Sequence, residues 1–94
     1  HFAGLTVTPA TMTVERRGKP VDLTPLEYQL LMYFYENRNV ALSREKILEA
    51  VWGYDYFGNT RTVDIHVLRL RKKLGLDTEI RTIFKIGYIF DIKE

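Results

Sequence analysis

The sequence predicts an α+β domain in which a small N-terminal antiparallel sheet is followed by three helices and a C-terminal β-hairpin. Three observations predict it. Short β-prone runs separated by turn formers fill the first 23 residues. Apolar positions then recur at helical spacing between Thr24 and Gly75, each stripe bounded by capping residues. Two further β-prone runs close the chain. With 94 residues, the chain is long enough for one hydrophobic core, so residues 1–94 are read as a single domain.

The N-terminal runs are Leu5 to Thr8, Met12 to Glu15 and Val21 to Leu23, parted by Pro9-Ala10 and by Arg17-Gly18-Lys19-Pro20. Strands this short are not stable alone, so later helices must cover their apolar face. Thr24-Pro25-Leu26-Glu27 is a helix start: Thr24 caps, Pro25 suits the first turn, Glu27 completes a capping box, and Leu23 with Tyr28 adds a hydrophobic staple. Leu30, Leu31, Phe34 and Tyr35 give this helix a broad buried face, and Asn37-Arg38-Asn39 ends it.

Ser43 caps a second helix whose stripe is Ile47, Leu48, Val51 and Trp52, stopping at Gly53. Tyr54 to Asn59 reads as an aromatic-rich loop. A third helix is predicted from Thr60 or Arg61 to Leu74, with Val63, Val67, Leu70 and Leu74 inward and Gly75 as a left-handed cap. Ile80 to Ile83 and Tyr88 to Ile92, joined through Phe84-Lys85-Ile86-Gly87, form the hairpin.

Composition excludes several classes of function. There is no cysteine, which removes disulfides, thiolate metal sites and cysteine nucleophiles and fits a reducing compartment. The start HFAGLTVTPA lacks the basic and apolar zones of a signal peptide, and no apolar run is long enough to span a membrane, so a soluble, cytoplasmic domain is expected. The only serine, Ser43, is a cap, and one of the two histidines is terminal. No catalytic constellation, metal site or cofactor site is expected, and Glu45 and Glu49 on one face of the second helix are read as solvation.

Net charge is only +2, but its distribution is uneven: Arg61, Arg69, Arg71, Lys72 and Lys73 face a single acid, Asp64, between positions 61 and 73. At about 100° per residue, the third helix's outer side carries Arg61, Ile65, Leu68 and Lys72, flanked by Thr62 and Arg69. Cations for phosphates, an arginine for guanine and aliphatic groups for thymine methyls suit a DNA major groove. A basic helix taken alone is as readily a solvated face, and Ile65 with Leu68 as readily part of a protein interface. Helix, loop, basic helix and hairpin together are the layout of a winged helix-turn-helix, in which the last helix is presented to DNA.

On Leu23-Thr24-Pro25-Leu26-Glu27-Tyr28 with Leu30-Leu31, Ser43-Arg44-Glu45 with Leu48, Val51-Trp52-Gly53, Arg61 to Val67 with Arg69 to Lys72, and Gly87-Tyr88 before Phe90, the chain resembles the OmpR/PhoB family of response-regulator effector domains. The resemblance spans about Leu5 to Ile92. It implies a four-stranded N-terminal sheet, three helices and a hairpin wing. It implies sequence-specific binding of double-stranded DNA for transcription regulation, and an N-terminal receiver domain in the intact protein, with His1 to Ala3 as a linker end or expression remnant. It places Thr62, Ile65 and Arg69 near base edges, and Arg44, Trp52, Arg61, His66, Arg71, Thr82 and Tyr88 near the DNA backbone; Lys72, from its place on the outer face, and Lys85, at the wing turn, are read as further phosphate contacts. It allows the loop Tyr54 to Asn59 to touch RNA polymerase, and it favours a dimer on directly repeated half-sites.

Some of these positions keep a second reading. Trp52 ends an apolar stripe and equally suits the core, with its indole N–H capping a carbonyl. His66 is read as a phosphate donor rather than a solvated side chain, and Asp64 as stabilising the helix start or pairing with Arg61 or Arg71. Two departures from the family pattern stand out: Leu68 where a cation is common, and Phe84-Lys85 where an Arg-Gly pair is usual. Phe84 is therefore expected to pack back on the domain or along a sugar edge. The rival function is a winged helix that docks a protein through Ile65, Leu68 and Phe84.

Overall fold

The computed structural model describes residues 1–53, 56 and 58–93; Tyr54, Asp55 and Phe57 of the aromatic loop, and Glu94, lie outside the described residues. The order is β1 (Leu5–Thr8), β2 (Thr13–Arg16), β3 (Lys19–Val21), α1 (Pro25–Glu36), β4 (Leu42–Ser43), α2 (Arg44–Trp52), α3 (Arg61–Leu74), β5 (Ile80–Ile83) and β6 (Gly87–Phe90). Two antiparallel sheets result, β1-β2-β3 and β4-β6-β5.

The first sheet departs from expectation in two ways. Arg17 and Gly18 both have positive φ, 54° and 78°, as a two-residue type I′ hairpin turn requires. The third strand therefore starts at Lys19, directly opposite Arg16, and not at Val21. Pro20 is accommodated because β3 lies at the sheet edge. Nor is this sheet four-stranded: among the described residues, the bridge between Phe2 and Leu5 is all that forms of a fourth ladder. Phe2 is no linker residue. It is 7% exposed, stacks on Tyr35 at 4.0 Å and meets Phe90 edge-on.

α1 begins as its sequence predicts, with Thr24 Oγ1 accepting from Glu27 N and Glu27 Oε1 accepting from Thr24 N. α2 starts where Ser43 Oγ accepts from Lys46 N. Leu30, Leu31 and Phe34 of α1, Ile47 of α2 and Val63, Val67, Leu70 and Leu74 of α3 meet in one core, closed by Ile80 and Phe90 of the hairpin. At about 25 cal/mol per Å² of buried apolar surface, each such side chain contributes roughly 1.5–3 kcal/mol. That burial joins strands too short to stand alone.

The second sheet fixes the wing to the helices. Two residues before α2 pair with β6, Leu42 opposite Tyr88 and Ser43 opposite Gly87. A Cβ at Gly87 would collide with the Leu42 carbonyl oxygen, so glycine is what lets the two backbones approach. The Asn39 carboxamide oxygen accepts from Ile92 N, and Asn39 N donates to Phe90 O, which ties the chain end to the loop after α1.

Candidate nucleic-acid interface

α3 is presented as its spacing predicts. Val63, Val67, Leu70 and Leu74 are buried, and Gly75 ends the helix in the left-handed region at φ 64°. Thr60 supplies no side-chain cap; the Asn59 side-chain oxygen accepts from Arg61 N instead. The opposite face carries Arg61, Ile65, Leu68, Arg69 and Lys72, all exposed, with Thr62 half-buried beside them. Among the described residues, Arg69 and Lys72 have no ion pair or hydrogen bond through their side chains. Ile65 is 49% and Leu68 51% exposed, apolar surface lying between free cations.

On the flank toward the wing, the polar groups are locked together. Asp64 Oδ1 accepts from Arg44 Nε at 2.8 Å and from the Tyr88 hydroxyl. The Arg44 guanidinium lies 5.1 Å from the Tyr88 ring centre, and that of Arg71 lies 5.6 Å from the same ring. Arg71 donates from Nε and Nη2 to the Ile80 carbonyl, and from Nη2 to Thr82 Oγ1 at 3.1 Å. Five side chains from α2, α3 and both wing strands, with the Ile80 carbonyl, thus form one connected cluster. Asp64 pairs with Arg44 across 20 residues, not with Arg61 or Arg71 as its helical neighbours led us to expect.

The electrostatics follow from that geometry. Burial pushes the Asp64 carboxyl up, but the bonds from Tyr88 and Arg44 and the charge of Arg44 outweigh it and hold the group below the usual range. The bond to Asp64 raises the Arg44 guanidinium further. Burial first, and then the bond to Asp64, raises the Tyr88 hydroxyl. The cluster therefore carries two cations against one anion, and Arg44 and Arg71 each keep N–H groups that their internal partners do not use.

On the other flank, Trp52 is half-buried and meets His66 edge-to-face, ring centres 5.0 Å apart. His66 Nδ1 lies 2.8 Å from the Thr62 carbonyl oxygen. A carbonyl only accepts, so this contact is a hydrogen bond when Nδ1 carries the proton.

The wing tip differs from expectation. Ile83 pairs with Gly87, so the loop is Phe84-Lys85-Ile86, closed by Ile86 N to Ile83 O at 3.0 Å. Lys85 has φ 63°, the setting in which the family's usual glycine is comfortable. Phe84 does not pack back: it is 82% exposed, with Lys85 Nζ 5.5 Å from its ring centre. Ile83 before it is fixed by pairing with Gly87, and the turn leaves the ring in solvent.

Lys73 also leaves the predicted basic cluster. Its ammonium donates to Glu27 Oε1 at 2.7 Å and to the Asp22 carbonyl. Glu27 is 1% exposed. Burial raises its carboxyl, yet the Lys73 and Thr24 bonds bring it below its ordinary value. The capping box was legible in the sequence; a partner 46 residues away has no local signature.

Among the described residues, no group of acids and histidines is placed to hold a metal ion, and no helix is long and apolar enough to cross a membrane. Residues 18–90 match the family described as "Transcriptional regulatory protein, C terminal". The transcriptional regulatory protein CseB of Streptomyces coelicolor is 48% identical over 87 residues, covering 93% of this chain and 37% of CseB. The DNA-binding domain of Bacillus subtilis CssR superposes with a TM-score of 0.84 at 38% identity, covering 90% of this chain and 97% of that one. The Klebsiella pneumoniae RstA DNA-binding domain, solved in complex with the RstA box, gives 0.82 at 31% identity, covering 97% and 94%. The chain spans about two fifths of the length of the curated relatives it matches.

Proposed function

Because the chain belongs to the OmpR/PhoB-type family of transcriptional regulatory protein C-terminal domains, a winged-helix family of DNA-binding regulators and not of enzymes, we propose that its α3 enters the major groove of double-stranded DNA as the output of a two-component response regulator. The observation that carries this reading is the unpaired, exposed face of α3. Thr62, Ile65 and Arg69 lie where base edges would be met, and Arg61 and Lys72 bracket them toward the two phosphate backbones. Trp52 and His66 border one side of that face, and His66 meets a phosphate there. Arg44, Arg71, Thr82 and Tyr88 first hold the wing against α3, and the spare guanidinium N–H groups of the two arginines reach the backbone. Lys85, at the wing tip, meets a phosphate in the adjoining groove.

The remaining partners follow from the same reading. A receiver domain precedes this segment in the intact, cytoplasmic protein, and dimers occupy paired half-sites. RNA polymerase is contacted through the loop Tyr54 to Asn59, where Tyr56 is 40% exposed. A second reading, protein docking, is favoured by the exposure of Ile65, Leu68, Phe84 and Ile86. Selection of binding sites from random duplexes, followed by affinity measurement against salt, separates the two. DNA binding yields an enriched sequence and a steep salt dependence; protein docking yields neither.

A further inference from the structure

We propose a second phosphate-binding surface, a basic groove between the β2–β3 hairpin and the end of α3, which grips the DNA backbone beyond the base pairs that α3 reads. The inference rests on α3 being the reading helix. The groove is a cavity of about 330 Å³ lined by Arg16, Arg17, Lys19 and Lys73 over the apolar side of Val21.

Its charge is not balanced by ion pairs within the hairpin. Arg16 stands directly opposite Lys19 across the hairpin, and like charges in that relation destabilise a strand pair. Arg17 occupies the turn between them, so three cations fall within four residues. Among the described residues, none of the three has an ion pair or a side-chain hydrogen bond, although Glu15 and Asp22 are close in sequence. A fold that tolerates such repulsion at an otherwise ideal turn departs from local consistency, and departures of that kind gather at binding surfaces.

The groove is continuous with the reading face. Lys73 lines it and follows Arg69 by one helical turn, so the groove adjoins the end of the cation row on α3. Arg16 is seated against the α3 cap, where a Cβ at Gly75 would collide with its guanidinium. Lys73 is partly spent on Glu27, which leaves Arg16, Arg17 and Lys19 as the cations available to an incoming anion. A regularly charged strand continuing from the major groove matches this band, whereas an isolated acidic side chain would not need its length.

The test compares two duplexes carrying the same selected core site, one trimmed to that site and one extended by about one helical turn of arbitrary sequence on each side. The wild-type chain should bind the extended duplex more tightly and with a steeper salt dependence. The variant R16A/R17A/K19A should bind the trimmed duplex as wild type does, lose the gain from the flanks, and show a salt slope on the extended duplex smaller by about two to three. Lys19→Glu guards against a folding artefact: it turns the Arg16 pair attractive, so thermal stability should hold or rise while flank binding falls. Retention of the full flank gain by the triple variant, or no flank gain in wild type, overturns the second surface, and the latter result with groove-dependent binding of an acidic protein would assign it elsewhere. Absence of wild-type binding to the trimmed core overturns the reading of α3 itself, and the groove proposal with it.

Discussion

Lys85 occupies a left-handed backbone conformation, φ 63°, that costs an L residue about 1–2 kcal/mol. Glycine would avoid that cost, but it returns about 0.4–1 kcal/mol through its greater freedom in the unfolded chain. Lys85→Gly should therefore raise stability by up to roughly 1 kcal/mol, while Lys85→Val, β-branched, should lower it. Denaturant unfolding measures both. In DNA binding, Lys85→Gly should also reduce the salt slope by about one; an unchanged slope would remove the wing tip from the interface. The departure at this turn was legible from Phe84-Lys85 alone. The direction taken by the Phe84 ring was not, because strand register and not side-chain hydrophobicity sets where a turn residue points.

Among the elements, α3 and α1 were the most legible, because each combines an apolar stripe with its own cap: Thr24 and Glu27 for α1, Gly75 for α3. β4 was not. Two residues carry no period, and Leu42–Ser43 becomes a strand only through pairing with Gly87 and Tyr88. The ionic ties between elements were equally hidden, since Arg44, Asp64 and Tyr88 come together from three separate segments.

Those ties predict an acid response. Asp64 and Glu27 both titrate below their ordinary values in the folded chain, so each stabilises fully above the unfolded carboxylate range. That contribution is lost as pH falls from about 4 through the lower folded values. Glu27→Gln should cost about 1–3 kcal/mol at neutral pH, because it removes the charge from a buried acceptor shared by Lys73 and the α1 cap, and it should flatten the acid limb of the stability profile. Asp64→Asn, at a half-exposed site, should cost about 1 kcal/mol and loosen the wing. Thermal melts between about pH 2.5 and about pH 7 report both; a Glu27→Gln profile parallel to wild type would refute the role given to that pair.

At the scale of the molecule, one small domain reads too few base pairs to be selective in a genome, so specific sites should be paired at about one helical turn. Footprinting of selected sites should find both half-sites protected, and an isolated half-site bound as tightly as a pair would contradict this. The proposed reading of DNA rests above all on Arg69, exposed on α3 and, among the described residues, without an internal partner. The most direct measurement is the affinity of wild type and Arg69→Ala for the selected duplex, its single-base variants and a random duplex at one fixed salt concentration. If α3 reads bases, Arg69→Ala costs about 1–3 kcal/mol on the selected duplex, relaxes choice at one position and leaves random-duplex binding nearly unchanged. An equal loss on selected and random duplexes, or no preference in wild type to begin with, would contradict it.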